Sequence, residues 1–207
     1  PPLFSNRDLI RLLWPLIIEQ TLAVLVGMSD TVMVSSVGEA AISGVSLVDM
    51  INNLIINIFA ALATGGAVVT SQFLGARRPP ALGAALCALL GIGVAAFCLL
   101  LREPLLRLFF GTITDDVMRE ALIYFTITGL SYPFLATYNA GAAIFRSAGN
   151  SAVSMKVSLL MNVTNIAGNA LCVFVLKMGT AGVAVPTLFS RALGAVIILY
   201  LAAVRHD

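Results

Sequence analysis

Charge is scarce in this chain. Only 11% of its 207 residues are Asp, Glu, Lys or Arg, where a soluble domain carries about 25%. A single histidine, His206, stands beside the C-terminus, which excludes a histidine metal centre and a His-based catalytic pair. The three cysteines, Cys87, Cys98 and Cys172, each lie inside an apolar run and read as small core side chains rather than a disulfide set. Basic residues never gather beyond Arg77-Arg78, so a pI near 8.7 implies no nucleic-acid face. No Walker loop, dinucleotide fingerprint, nucleophile elbow or zinc motif occurs, and the chain is not read as an enzyme.

Apolar sequence is what the chain has in abundance. Hydrophobic residues make up 59% of it and the mean hydropathy is +1.00, the composition of an integral membrane protein. A hydrocarbon core about 30 Å thick needs some 20 apolar residues per helix. Six segments qualify: Leu9–Val37, Ala41–Leu74, Ala81–Leu101, Val117–Phe145, Ala152–Leu176 and Ala181–Val204. The expectation is an all-α bundle of six transmembrane helices forming one unit over residues 1–207. The first, second and fourth segments exceed a perpendicular crossing, which implies tilting, bending or protrusion. Pro15 and Pro186 each remove a backbone donor and mark bend points in the first and sixth helices. The short links Gly38-Glu39-Ala40 and Lys177–Thr180 predict antiparallel hairpins at both ends. Glu103–Thr114, rich in Leu and Phe, reads as an interfacial segment.

Orientation follows from Lys and Arg in the loops. With the N-terminus inside, Arg7, Arg11, Arg77, Arg78, Arg146, Lys156 and Arg205 lie on the cytoplasmic side, against Arg102, Arg107, Arg119 and Lys177 outside. Both termini are therefore expected in the cytoplasm, with the chain in the cell's inner (plasma) membrane. No cleavable signal pattern is present. A start at Pro1-Pro2 without Met, and a stop just after an apolar run, read as a piece of a longer protein.

Against this apolar background the polar residues stand out. Asp30 lies inside the first span, where a carboxylate costs about 2.5–3.5 kcal/mol on insertion scales and usually faces the bundle interior. The fifth span carries Ser158, Asn162, Asn165 and Asn169 at spacings of four, three and four, one stripe on one helix face. Such a stripe is either interhelical glue or a source of oxygen ligands, and Asp30 favours the second because a buried carboxylate needs partners. With Thr187 in the sixth span, three helices supply the oxygen atoms that a small hard cation takes. An ion-coupled transporter is the leading reading. The second span has a stripe of its own, Ser46, Asp49, Asn53 and Asn57, with Asn52 beside it. Lipid cannot satisfy these groups, so they face a water-filled cavity or a packed polar seam. Glu19 and Arg191 each lie about 15 Å deep at 1.5 Å per residue, and equal depth with opposite charge predicts an ion pair.

Several short motifs together carry a resemblance: Trp14-Pro-Leu-Ile-Ile-Glu-Gln, Asp30-Thr, Gly38, Gln72-Phe-Leu-Gly, Tyr132-Pro-Phe, Phe145-Arg-Ser-Ala-Gly-Asn and Gly182-Val-Ala. They are similar to those of the multidrug and toxic compound extrusion (MATE) transporters, over nearly the whole chain. Members typically have twelve helices in two lobes, so the resemblance implies an N-terminal lobe whose partner is a second six-helix lobe. It implies cation-driven export of small organic, often cationic, compounds, including drugs and other xenobiotics, by rocking two lobes about a central cleft. It also implies a cation site built from Asp30, Asn165 and Thr187, with Pro15 at the family's bend in the first helix. Where some members carry a second Asp, this chain has Asn169, leaving Asp30 as the single carboxylate. Either one sodium ion balances Asp30, or Asp30 itself carries a proton; no other cofactor is expected. Asp49, Asn53, Tyr138 and Asn139 are the candidates for lining the cleft.

Two rivals make different demands. A lipid-linked oligosaccharide flippase of the same superfamily would favour an arginine-rich lumen, and only Arg191 is available. A non-transporting membrane scaffold or half-size subunit would tolerate replacement of Asp30.

Overall fold

The computed structural model describes residues 5–73 and 80–205. The end of the second expected span at Leu74, the pair Arg77-Arg78 and His206 lie outside the described residues. Among the described residues eight α-helices follow one another: α1 (Asn6–Ser35), α2 (Glu39–Phe73), α3 (Pro80–Leu100), α4 (Arg102–Phe110), α5 (Asp115–Leu130), α6 (Tyr132–Ser147), α7 (Ser151–Ala170) and α8 (Ala181–Arg205). A π-helical turn, Leu171–Val175, extends α7.

The helix ends have local causes. Ser5 opens α1 with a reciprocal capping box: its hydroxyl accepts from the Asp8 amide at 3.2 Å while the Asp8 carboxylate accepts from the Ser5 amide at 3.4 Å. Gly149, at φ +82°, ends α6. The Asn150 amide there returns to the Phe145 carbonyl at 2.9 Å and the Gly149 amide to Arg146 at 3.0 Å, a left-handed cap that a side chain would strain. α1 runs unbroken through buried Pro15, and α8 through Pro186.

Among the described residues, four helical stretches are each long and apolar enough to cross a membrane: Asn6–Ser35, Glu39–Ala63, Ser151–Val175 and Ala181–Val204. α3 and α4 make a fifth if taken as one span bent by 77°. α4 buries Leu106 and exposes Leu108 and Phe109, the two-faced pattern expected of the Glu103–Thr114 segment. The expected fourth span, Val117–Phe145, needs correction, because it is two 16-residue helices, α5 and α6. Each rises only about 24 Å at 1.5 Å per residue. Pro133 has no N–H to return to the Gly129 carbonyl, which opens the ladder at Ser131. Ser131 keeps right-handed dihedrals (φ −82°, ψ −11°), so the interruption is local.

α6 sits centrally, packed on α3, α8, α2 and α7. One apolar cluster joins Val48, Ile55 and Phe59 of α2 to Tyr124 and Phe125 of α5 and Tyr132 of α6. A second joins Tyr138 and Phe145 of α6 to Val153 and Val157 of α7 and Ile198 of α8. Outside, the bundle is apolar, with Val32 at 69% and Leu100 at 82% exposed, a surface suited to lipid rather than water. α7 and α8 form a closely packed hairpin, whereas α1 leans chiefly on α7 and α2 on α5 and α6. The two leading helices are thereby held on opposite walls of the bundle, with a cavity between them.

Candidate functional site

That cavity has a volume of about 280 Å³. α1 contributes Gly27 and Asp30, and α2 contributes Asp49, Asn52 and Asn53. Tyr124 enters from α5, Met161, Asn162 and Asn165 from α7, and Thr187, Ser190 and Arg191 from α8. These carboxylates, amides and the guanidinium have no partners in lipid, which favours turning them toward one another and toward a shared cavity, although Gln20 of α1 and Asn57 of α2 stay exposed.

On the α1–α7–α8 wall, the Asn169 side-chain amide donates to the Asp30 carboxylate. One turn earlier, Asn165 donates to the Thr187 hydroxyl at 3.2 Å, and Thr187 donates to the Val183 carbonyl at 3.0 Å. Thr187 is brought to Asn165 by close helix packing. A Cβ on Gly168 would lie 2.8 Å from the Pro186 Cβ, so only a glycine lets α7 touch α8 one residue before Thr187. Asn169 is fully buried and Asn165 nearly so. The amide oxygens of both, Asn165 Oδ1 and Asn169 Oδ1, are buried and accept no hydrogen bond. Buried acceptors left without a donor cost about 1–3 kcal/mol each. An oxygen-seeking cation is a physical remedy for that cost. Among the described residues, no three His, Cys, Asp or Glu side chains converge as metal ligands, so any cation here would be held by amides, a hydroxyl and one carboxylate.

The opposite wall is a connected polar network. The Tyr124 phenol donates to Asp49 at 2.9 Å, the Tyr132 phenol donates to the Asn52 side-chain oxygen, and Asn52 donates to the Thr128 hydroxyl at 3.3 Å. Arg191 donates to the Ser131 hydroxyl at 2.6 Å, the residue at the break between α5 and α6.

Asp30, Asn165 and Thr187 thus line one cavity with Asp49 and Asn53, and Asn169 lies behind Asp30. Two expectations need correction. Glu19 and Arg191 form no ion pair. Among the described residues the single salt bridge is Arg107–Glu103 at 3.1 Å. Glu19 instead accepts from the Tyr138 phenol and the Ser154 hydroxyl, each at 3.3 Å. Equal depth says nothing about helix rotation: Glu19 points to α6 and α7, while Arg191 points into the cavity. For the same reason Tyr138 and Asn139 do not line this cavity. Tyr138 is buried against Glu19 and the Ser154 carbonyl at 3.2 Å, and the Asn139 amide nitrogen is buried without a partner. Sequence reasoning missed Tyr124 and Ser190. The buried charge of Asp49, which needs a donor, was the one available signal for Tyr124.

Comparison with known proteins agrees with this architecture. A family model described as MatE matches residues 15–171. The "Uncharacterized transporter YisQ" of Bacillus subtilis is 31% identical over 97% of this chain and 46% of its own length. The "Probable multidrug resistance protein NorM" of Thermotoga maritima is 26% identical over 98% of this chain and 45% of its own. Among solved structures, a MOP superfamily transporter from Pyrococcus furiosus superposes with a TM-score of 0.87 at 23% identity, over 97% of this chain and 45% of that one. The chain spans about half the length of the relatives it matches. The family match over residues 15–171 and the shared helical fold lead to one conclusion: the chain belongs to the MatE family of membrane transporters.

Proposed function

We propose that this chain is the ion-binding lobe of a cation-coupled antiporter that exports small organic, chiefly cationic, compounds. The observation that carries this reading is the pair of buried, unbonded amide oxygens, Asn165 Oδ1 and Asn169 Oδ1, beside the Asp30 carboxylate. With Thr187 they offer one negative charge and several neutral oxygens, a set whose charge matches a sodium ion or a proton. Sodium would draw on the amide oxygens directly, whereas a proton would reside on Asp30 alone.

Coupling follows from where Asp30 stands. It belongs to α1, which leans on α7, and its carboxylate is held by an α7 side chain. Cation binding strengthens the link between the two helices; cation release leaves Asp30 charged and free to attract another cation in the same cavity. An organic cation entering against Asp30 and Asp49 would therefore compete with the coupling ion, and competition for one carboxylate is the simplest basis for exchange. The relatives' greater length supports a second lobe that closes the cavity from the other side. The loop arginines support an inner-membrane protein with cytoplasmic termini.

The reading is tested in proteoliposomes holding the complete encoded protein, with a sodium gradient and a pH gradient imposed separately. Dye export driven by one of these gradients is expected, lost in Asp30→Asn. Export insensitive to both gradients would contradict it.

A further inference from the structure

Glu19 is a carboxylate inside α1, a helix long and apolar enough to cross a membrane, yet it lies outside the cavity. An ionisable group at such a place is costly and rarely idle. Among the described residues no cation pairs with it. Two hydroxyls face it instead: the Tyr138 phenol of α6 lies 3.3 Å from Oε1, and the Ser154 hydroxyl of α7 lies 3.3 Å from Oε2. Both separations exceed the about 2.5–2.7 Å of a hydroxyl given wholly to a carboxylate. Competition accounts for this. The phenol also lies 3.2 Å from the Ser154 carbonyl, and the Ser154 hydroxyl lies 3.0 Å from the Ser151 carbonyl. Two hydroxyl hydrogens therefore face four acceptor oxygens, and each has an acceptor nearer than Glu19.

We infer that Glu19, Tyr138 and Ser154 form a proton-binding site apart from the cavity, and that a proton held there releases part of the grip of α6 and α7 on α1. The hydrogens can be placed in both states by rotating hydroxyls alone. With Glu19 ionised, both hydroxyls turn to the carboxylate and tie α1 to α6 and to α7. With Glu19 protonated, its O–H donates to the phenol oxygen, the phenol turns to the Ser154 carbonyl, and the Ser154 hydroxyl returns to Ser151. One neutral bond then replaces two charge-assisted ones, each roughly twice as strong. The release is partial, because the Ser151 hydroxyl still donates to the Leu12 carbonyl of α1 at 3.1 Å. The charges on the surrounding helices leave the site to its hydroxyls. On α6 the cation whose field reaches the phenol is Arg146. Lys156 of α7 is exposed, as are Arg11 of α1 and Tyr200 of α8. Asp49 of α2 and Arg191 of α8 line the cavity, and Glu39 opens α2 at its far end. The site does not rest on the antiport reading: its proton adjusts how α1 packs and does not stand in for the cation at Asp30.

The test uses the complete encoded protein in detergent with Asp30→Asn as background, which removes that carboxyl from the signal. Infrared difference spectra across pH, with and without Glu19→Gln, isolate the C=O stretch of a protonated Glu19. An acid band is expected at low pH that disappears at high pH and is missing throughout in Glu19→Gln. Tyr138→Phe should move its midpoint to higher pH, because the lost hydroxyl served the ionised form more strongly. Ser154→Ala, which removes the other donor, should act in the same direction and stands in if Tyr138→Phe does not fold. Melting temperatures of the Glu19→Gln and Tyr138→Phe single and double variants give the second readout. Their non-additivity should be present above the band's midpoint and fade as pH falls through it. A Glu19-dependent band that is absent, or that persists, at every pH at which the protein is folded would overturn the inference. So would a midpoint that neither Tyr138→Phe nor Ser154→Ala moves, or a non-additivity that ignores pH.

Discussion

Asn169 of α7 donates its side-chain amide to Asp30 of α1 while its own carbonyl oxygen lies fully buried and unbonded. One side chain therefore both fixes the carboxylate and presents an unused ligand beside it. Asn169→Asp replaces the amide by a second carboxylate, adding negative charge where a cation would sit. Sodium affinity should rise and export should become more dependent on sodium than on pH. Sodium-dependent thermal shift of the complete protein checks this; unchanged sodium dependence would place the site elsewhere.

The α7–α8 contact gives a steric prediction. A Cβ at position 168 would meet Pro186 at 2.8 Å, so Gly168→Ala must push the two helices apart and draw Thr187 away from Asn165. Overpacking of this kind costs about 1–3 kcal/mol. Gly93, whose Cβ would meet nothing within 4 Å, is the control. Gly93→Ala should be neutral or stabilising by about 0.5–1 kcal/mol. Thermal denaturation in detergent compares the two, and equal effects would mean that the Gly168 contact does not bind the helices together.

Much of this architecture is legible in the sequence, and the limits have physical causes. The Asn162-Asn165-Asn169 stripe is visible from spacing alone, because helical periodicity places the three on one face. Asp30 is conspicuous because a carboxylate in an apolar run has so few acceptable surroundings. What periodicity cannot supply is the rotation of one helix against another. That is why Glu19 and Arg191, matched in depth, turn out to face different neighbours, and why Tyr138 falls in the core beside Glu19. The break at Ser131 is signalled by Pro133, yet hydropathy alone carries the span straight through it.

Rotation also reverses an expectation about energetic coupling. Glu19 and Arg191 share no partner, so the stability losses of Glu19→Gln and Arg191→Gln should add within about 0.5 kcal/mol. Glu19 and Tyr138, hydrogen-bonded at 3.3 Å, should couple instead. Glu19→Gln with Tyr138→Phe is expected to depart from additivity by about 0.5–3 kcal/mol. Two double-mutant cycles on thermal stability decide the matter; coupling in the first and none in the second would place Glu19 against Arg191 after all.

Thr187 separates packing from ligation. Thr187→Val keeps the shape but removes the acceptor for Asn165, leaving a buried amide N–H without a partner at a cost of about 1–3 kcal/mol. Thr187→Ser keeps the oxygen and should retain both stability and cation response. If Thr187→Val and Thr187→Ser behave alike, the hydroxyl is not part of the site.

The most direct measurement is sodium- and proton-driven dye export by the complete protein carrying Asp30→Asn. The asparagine oxygen can still accept from Asn169, so the variant should fold and keep its place in the bundle, but it has no charge to balance a cation and no carboxylate to carry a proton. The account predicts a stable protein whose export no longer responds to either gradient. Export by Asp30→Asn at the wild-type rate and with the wild-type ion dependence would contradict it.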